Sequence, residues 1–113
     1  MHELSIAQSI VDLAVQQAKS HGAVEVEELE LEIGVLSGIE ISALEFALES
    51  CVTGTWLEKT RIVRHDIPGE GRCGDCGKSF SVKDIFSACP SCGSFAVRIT
   101  KGKELRIKSI VIK

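Results

Sequence analysis

Four of the five cysteines form two like knuckles, Cys73-Gly-Asp-Cys76-Gly77 and Cys89-Pro-Ser-Cys92-Gly93, with twelve residues between them. A Cys-x-x-Cys pair turns tightly enough to aim two sulfurs at one point, and two such pairs supply the four thiolates of a tetrahedral ion. Cys73, Cys76, Cys89 and Cys92 are therefore expected to hold a structural Zn²⁺. Iron accepts the same tetrathiolate cage, and ligand type does not separate the two metals. A disulfide pair or a thiol-redox site is the weaker alternative, because a redox Cys-x-x-Cys normally occurs once and inside a βαβ pattern. Gly77 and Gly93 accept the backbone angles of a tight turn, and their amides are expected to point back at the thiolates. Pro90 stiffens the second turn. Cys51, between Leu48 and Val52 at helical spacing, reads as a small buried hydrophobe.

A second set of donors stands at the beginning, Met1-His2-Glu3. The α-amine, the amide nitrogen of His2 and its imidazole can occupy three corners of a square plane, with Glu3, the next backbone amide or water at the fourth. Such a nitrogen-rich plane suits Ni²⁺ or Cu²⁺ better than Zn²⁺. Judged on the residues alone, a terminal histidine more often belongs to a loosely ordered chain end. Both readings stay open at this point. His21, at the close of a helical pattern, reads as a partner of the helix dipole, and His65 as a surface residue on a strand.

The elements that must position these groups follow from periodicity. Leu4, Ala7, Ile10, Val11, Ala14, Val15 and Ala18 recur at three- and four-residue steps, predicting an amphipathic helix from Leu4 to Ser20 that Gly22 stops. Leu29, Leu31, Ile33 and Val35 then alternate with Glu28, Glu30, Glu32 and Gly34, a strand with one dry and one acidic face. Ser42 followed by Glu45 has the form of a capping box, which starts a second helix at Ser42 that runs to Thr53 and ends at Gly54. Further strands are expected at Thr60 to Ile67 and at Leu105 to Ile112. Pro68-Gly69 and Gly102 bracket the cysteine segment, whose apolar residues are chiefly Phe80, Val82, Ile85, Phe86 and Phe95. With so little to bury, that segment needs its metal to fold.

The fold class this predicts is α+β: two helices packed on a three-stranded sheet, with a zinc-ribbon module inserted before the last strand. The division expected is residues 1–67 plus 99–113 as one α+β domain and 68–98 as a zinc-binding domain. A chain of 113 residues suffices for this and little more. No run approaches the roughly 18 apolar residues of a membrane span, and no basic stretch leads into an apolar leader. A soluble, cytoplasmic protein is expected, with thiols kept reduced for metal.

Charge excludes one class of partner. Residues 1–60 hold eleven acids against Lys19 and Lys59, while residues 61–113 hold eleven bases against five acids. An acidic first strand beside basic later strands accounts for this as cross-strand pairing. Within 69–95, Arg72, Lys78 and Lys83 are balanced by Glu70, Asp75 and Asp84, which is no footprint for nucleic acid. Neither a nucleophilic triad nor a phosphate-cradling glycine loop is present, so the chain reads as a binding protein and not an enzyme.

Met1-His2-Glu3-Leu4-Ser5, Glu32-Ile33-Gly34 followed by Leu36-Ser37, the two cysteine knuckles, and the closing Gly102-Lys-Glu-Leu-Arg-Ile-Lys-Ser-Ile110 resemble the HypA/HybF family of hydrogenase nickel incorporation proteins. The resemblance spans essentially the whole chain. It implies a metallochaperone for [NiFe] hydrogenase maturation that binds Ni(II) through Met1, His2 and Glu3, with His2 the essential ligand. It implies zinc at the four knuckle cysteines, and delivery with a partner GTPase to the hydrogenase large subunit, with urease served by some members. A homodimer is allowed as well as a monomer. A nucleic-acid- or protein-binding zinc ribbon, and an iron tetrathiolate electron carrier, are the alternatives.

Overall fold

The computed structural model describes residues 3–113, so that Met1 and His2 lie outside the described residues. The element order is α1 (Glu3–Ser20), β1 (Val26–Gly34), α2 (Ile41–Val52), β2 (Arg61–Ile67), β3 (Glu70–Cys73), β4 (Ser79–Ser81), β5 (Val97–Lys101) and β6 (Leu105–Ile112). The chain divides into two compact units. One takes the chain up to Leu31, Ile39–Arg64 and Ile107–Lys113; the other takes Glu32–Gly38 and His65–Arg106.

In the first unit, α1 buries Ala7, Ile10, Val11, Ala14 and Ala18, and α2 buries Leu44, Ala47 and Leu48. Small residues along this stripe let the two helices pack on one another. Val26, Leu29, Leu31 and Leu57 complete the core, each full burial of a leucine being worth about 2 kcal/mol. Leu57 gives no periodic signal because it sits in a turn between elements. Leu4, expected on the dry stripe, is 62% exposed, since the stripe begins one turn later at Ala7. At its other end α1 closes as expected: Ala23 N donates to Ala18 O and Gly22 N to Lys19 O, with Gly22 at φ 70, the reciprocal pattern of a Schellman stop.

The expected Ser42–Glu45 capping box does not form. The N-cap of α2 is Glu40, whose side chain accepts from Ser42 N at 3.1 Å, and Glu45 instead meets Arg64 at 2.7 Å. A carboxylate two residues earlier satisfies the orphan amide and also complements the helix dipole, so the serine has no vacancy to fill.

The first sheet has the order β2-β1-β6. Val24 N donates to Lys113 O and Gly34 N to Glu104 O, so β6 runs antiparallel to β1. Thr60 Oγ1 reaches Val26 O and Val35 N reaches Ile67 O, so β2 runs parallel to β1 and α2 is the crossover between them. The acidic face of β1 finds its partners on both neighbours: Glu28 with Arg61 at 3.7 Å, Glu32 with Arg106 at 2.6 Å, and Glu30 accepting from Ser109 Oγ. Exposed pairs of this kind contribute about 0–1 kcal/mol each. Their consequence is register. Alternation stops at Ile33, because β1 ends at Gly34 and a turn closed by Ser37 N on Gly34 O follows. Val35, expected on the dry face, is 57% exposed.

In the second unit a smaller antiparallel sheet, β4-β3-β5, carries the cysteine segment, with Arg72 paired to Ser79 on one side and to Arg98 on the other. Among the aromatic and aliphatic residues expected to form its core, Val82 is buried while Ile85, Phe86 and Phe95 are exposed, the last two at 79% and 77%. Three glycines make its tightest packing. A Cβ on Gly34 would stand 1.9 Å from Gly102 O, one on Gly69 2.2 Å from Val82 O, and one on Gly102 2.8 Å from Gly69 Cα. The backbones after β1, after β2 and before β6 therefore meet at a point that has no room for side chains, tied by Leu36 N on Gly102 O and Val82 N on Gly69 O. Gly34→Ala is expected to destabilise by about 3 kcal/mol or more through this overpacking. Gly22→Ala, strained in φ but facing open space, should cost about 1 kcal/mol. Thermal or denaturant unfolding of the two variants checks the order; equal losses would show that the junction yields.

Candidate metal centre

The two knuckles are built alike. Cys73 ends β3 and Cys76 lies in the turn before β4, while Cys89 and Cys92 lie in the segment leading to β5. Each turn is closed by the same two bonds: Cys73 N to Lys78 O at 2.9 Å and Gly77 N to Cys73 O at 3.0 Å, then Cys89 N to Ser94 O and Gly93 N to Cys89 O, both at 2.8 Å. Gly77 and Gly93 stand at φ 76 and 75, which residues with a Cβ rarely adopt. Their amides, expected on the sulfurs, are thus spent on carbonyls. The Cys73 sulfur takes other amides: Asp75 N and Cys76 N both reach Cys73 Sγ at 3.4 Å.

All four cysteines are free thiols, and their sulfurs lie within 4.8 Å of one another, with Cys73 Sγ to Cys92 Sγ and Cys76 Sγ to Cys89 Sγ both 3.6 Å. A disulfide needs about 2.05 Å. A tetrahedral ion with about 2.3 Å bonds to sulfur sets its ligands about 3.8 Å apart. The arrangement therefore fits one tetrahedral metal and not a bridge. Among the described residues it is the one grouping of three or more His, Cys, Asp or Glu able to hold a metal ion.

The four sulfurs are not equivalent. Cys73 and Cys89 are buried, and Cys76 and Cys92 are exposed. The amide of Cys76, with that of Asp75, holds the Cys73 thiol below its ordinary range against the opposing effect of burial. The Cys92 amide, with that of Ser91, draws Cys89 down to about 6. Although the Lys78 amide favours the Cys76 thiolate, burial and the neighbouring thiols raise it, and the Ser94 amide is likewise outweighed by Cys73, burial and Cys89, which push Cys92 up to about 12.

At the other candidate site only Glu3 is described. It opens α1, half-buried, and its Oε2 accepts from Glu40 N at 3.3 Å. Its carboxylate thus joins the start of α1 to the N-cap of α2, a link the sequence did not reveal because the partner is a backbone amide 37 residues away. Met1 and His2 fall outside the described residues. His21 Nδ1 lies 2.8 Å from Gln17 O at the end of α1, as the dipole reading expects. His65 is half-buried on β2, and Cys51 half-buried on α2.

Residues 1–112 match the model of a family described as hydrogenase/urease nickel incorporation, metallochaperone, hypA. The chain belongs to the HypA family. Among HypA relatives, the hydrogenase maturation factor HypA of Parabacteroides distasonis is 64% identical over 113 residues, covering 100% of this chain and 98% of its own. That of Geobacter metallireducens is 43% identical over the full length of both. The solution structure of the Ni metallochaperone HypA from Helicobacter pylori superposes with a TM-score of 0.72 at 28% identity, covering 99% of this chain and 97% of that one. A second HypA solution structure gives 0.75 at 27% identity, covering 100% and 97%. Two helices, small sheets and a four-cysteine cluster are thus the HypA architecture, and the expected α+β class holds.

Because Cys76 and Cys92 are raised above the ordinary thiol range, both carry protons at neutral pH when no metal is bound, and an entering divalent ion displaces at least two. Metal affinity should therefore rise with pH by at least about a hundredfold per unit near neutrality. It should fall more steeply below about 6, where Cys89 also gains a proton. Competition against a chelator of known affinity at several pH values measures this slope. A pH-independent affinity would mean that the thiols are already ionised without the metal.

Proposed function

We propose that this chain is a nickel metallochaperone for [NiFe] hydrogenase maturation, which takes up Ni(II) at its N-terminus and hands it on with a partner GTPase to the hydrogenase large subunit. The observation that carries the reading is the family match over residues 1–112, which includes both Met1-His2-Glu3 and the four knuckle cysteines. A bare zinc ribbon accounts for the second group and leaves the first unexplained.

The chemistry of the two donor sets supports a division of labour. Four thiolates converging from two closed turns make a coordinatively complete S₄ cage for Zn(II), held for structure. The proposed chelate of Met1 α-amine, His2 amide and imidazole, and a donor from Glu3, is an open square plane suited to Ni(II). An open plane lets the ion leave, which transfer requires. With Oε2 of Glu3 accepting from the Glu40 amide, the backbone nitrogen of Glu3 can supply the fourth donor without disturbing that link. The work is binding and transfer with no covalent catalysis, and any nucleotide hydrolysis belongs to the GTPase. A cytoplasmic location fits this role, and no described helix is long and apolar enough to cross a membrane. Urease machinery is a further candidate recipient, as the family description names it.

The expected division is of residues 1–67 plus 99–113 serving nickel and residues 68–98 serving zinc. Isothermal titration should give about one Ni²⁺ for the native N-terminus, set by the single terminal chelate. His2→Ala, or an extension ahead of Met1, should abolish this binding while the zinc content stays unchanged. Undiminished nickel affinity in the extended form would overturn the terminal chelate.

A further inference from the structure

The two knuckles are related by an approximate repeat: Asp75 occupies in the first the place of Ser91 in the second, and Lys78 the place of Ser94. The amides obey the repeat, whereas the side chains break it. Ser94 Oγ donates to Asp75 Oδ2 across the cage. The Asp75 amide also reaches Cys73 Sγ at 3.4 Å, and Cys73 Sγ faces Cys92 Sγ at 3.6 Å. Ser94 is braced in turn, since its carbonyl accepts from Cys89 N at 2.8 Å and its hydroxyl from Ala96 N at 3.0 Å. Gly74 N, next to Asp75, donates to Ala96 O at 2.7 Å. At the opposite seam, Cys76 against Cys89, the equivalent residues are Lys78 and Ser91. Among the described residues no hydrogen bond joins their side chains.

We propose that the Asp75–Ser94 hydrogen bond is a metal-independent clasp that closes the Cys73/Cys92 seam, so that the cage opens, and the ion leaves, at the Cys76/Cys89 seam. The physical basis is that a hydroxyl donating to a carboxylate is a charge-assisted bond, and here it adds to the Gly74–Ala96 backbone bond on the same side of the cage. Ion release needs the turns to separate. With one seam clasped, they separate at the other, between Cys76 and Cys89. Asp75 and Ser94 are thus positioning residues, and their effect falls on the rate at which zinc is given up. The inference rests on the proposed occupancy of the cage by zinc, so zinc content is measured first.

The test is the rate of zinc transfer from the full chain to excess chelating dye. Asp75→Ala keeps the Ser94–Ala96 bond and isolates the clasp; Ser94→Ala removes both. Each should release zinc about tenfold faster than wild type, the size of one charge-assisted bond. The double variant should be no faster than Ser94→Ala alone, because the pair acts as a unit, and Ser94→Thr should stay near wild type. Limiting N-ethylmaleimide with peptide mapping gives an independent readout: Cys76 modified before Cys92 in wild type, with the gap narrowed in Asp75→Ala. Zinc present with an unchanged release rate in Asp75→Ala, or additive effects in the double variant, overturns the clasp. Absence of cage-bound zinc from the wild type overturns the occupancy reading and the clasp with it.

Discussion

Four sulfurs held within 4.8 Å of one another are the constraint on which the second unit depends. As thiolates they repel; as thiols their desolvation is compensated only in part by backbone amides. A cation resolves both, which is why such modules normally couple metal binding to folding. The rest of the unit bears this out by what it lacks. Phe86 and Phe95 are exposed, and the buried apolar residues are Ile33, Val82 and the cysteines Cys73 and Cys89 themselves. Three short strands and a glycine junction at Gly34, Gly69 and Gly102 give the backbone its path, but they bury too little to hold it unaided.

The first unit is stabilised in the ordinary way, by a stripe of alanines and branched aliphatics between α1 and α2 and by the dry face of β1. Its relevance to function is that it presents Glu3. The carboxylate of that residue is fixed on the N-terminus of α2 through Glu40, and the Glu40 side chain caps the same helix. A chain end carrying a proposed metal chelate is thereby anchored at its third residue, close behind the donors. Both proposed sites thus follow one rule, that donors are useful only where hydrogen bonds limit their freedom, applied at the cysteines by the knuckle turns and near the terminus by the Glu3–Glu40 bond.

Much of this was legible in the sequence, for identifiable reasons. Helix α1 and strand β6 were delimited to within a residue, since strong periodicity and a glycine stop leave few alternatives. The cysteine spacing picked out the four residues that converge, and the acidic β1 against basic neighbours anticipated cross-strand pairing, which takes the form of Glu28–Arg61 and Glu32–Arg106. The failures share a cause, which is competition between local groups for one partner. Glu40 displaced Ser42 as cap, and the Gly77 and Gly93 amides went to carbonyls while those of Asp75 and Cys76 took the Cys73 sulfur. Long-range backbone contacts such as Glu3 to Glu40, and the parallel sense of β1 and β2, carry no periodic signal at all. The three-stranded β4-β3-β5 sheet escaped notice because its strands are short and polar and are specified by the knuckles they connect.

The central claim is that two metals are sorted by donor chemistry, zinc to a closed set of sulfurs and nickel to an open set of nitrogens. X-ray absorption at the zinc and nickel edges of one sample, loaded with both ions, tests it most directly. The account predicts about four sulfur neighbours at about 2.3 Å around zinc, and a planar shell of nitrogen and oxygen donors without sulfur around nickel. Sulfur in the nickel shell, or nitrogen in place of sulfur around zinc, would contradict it.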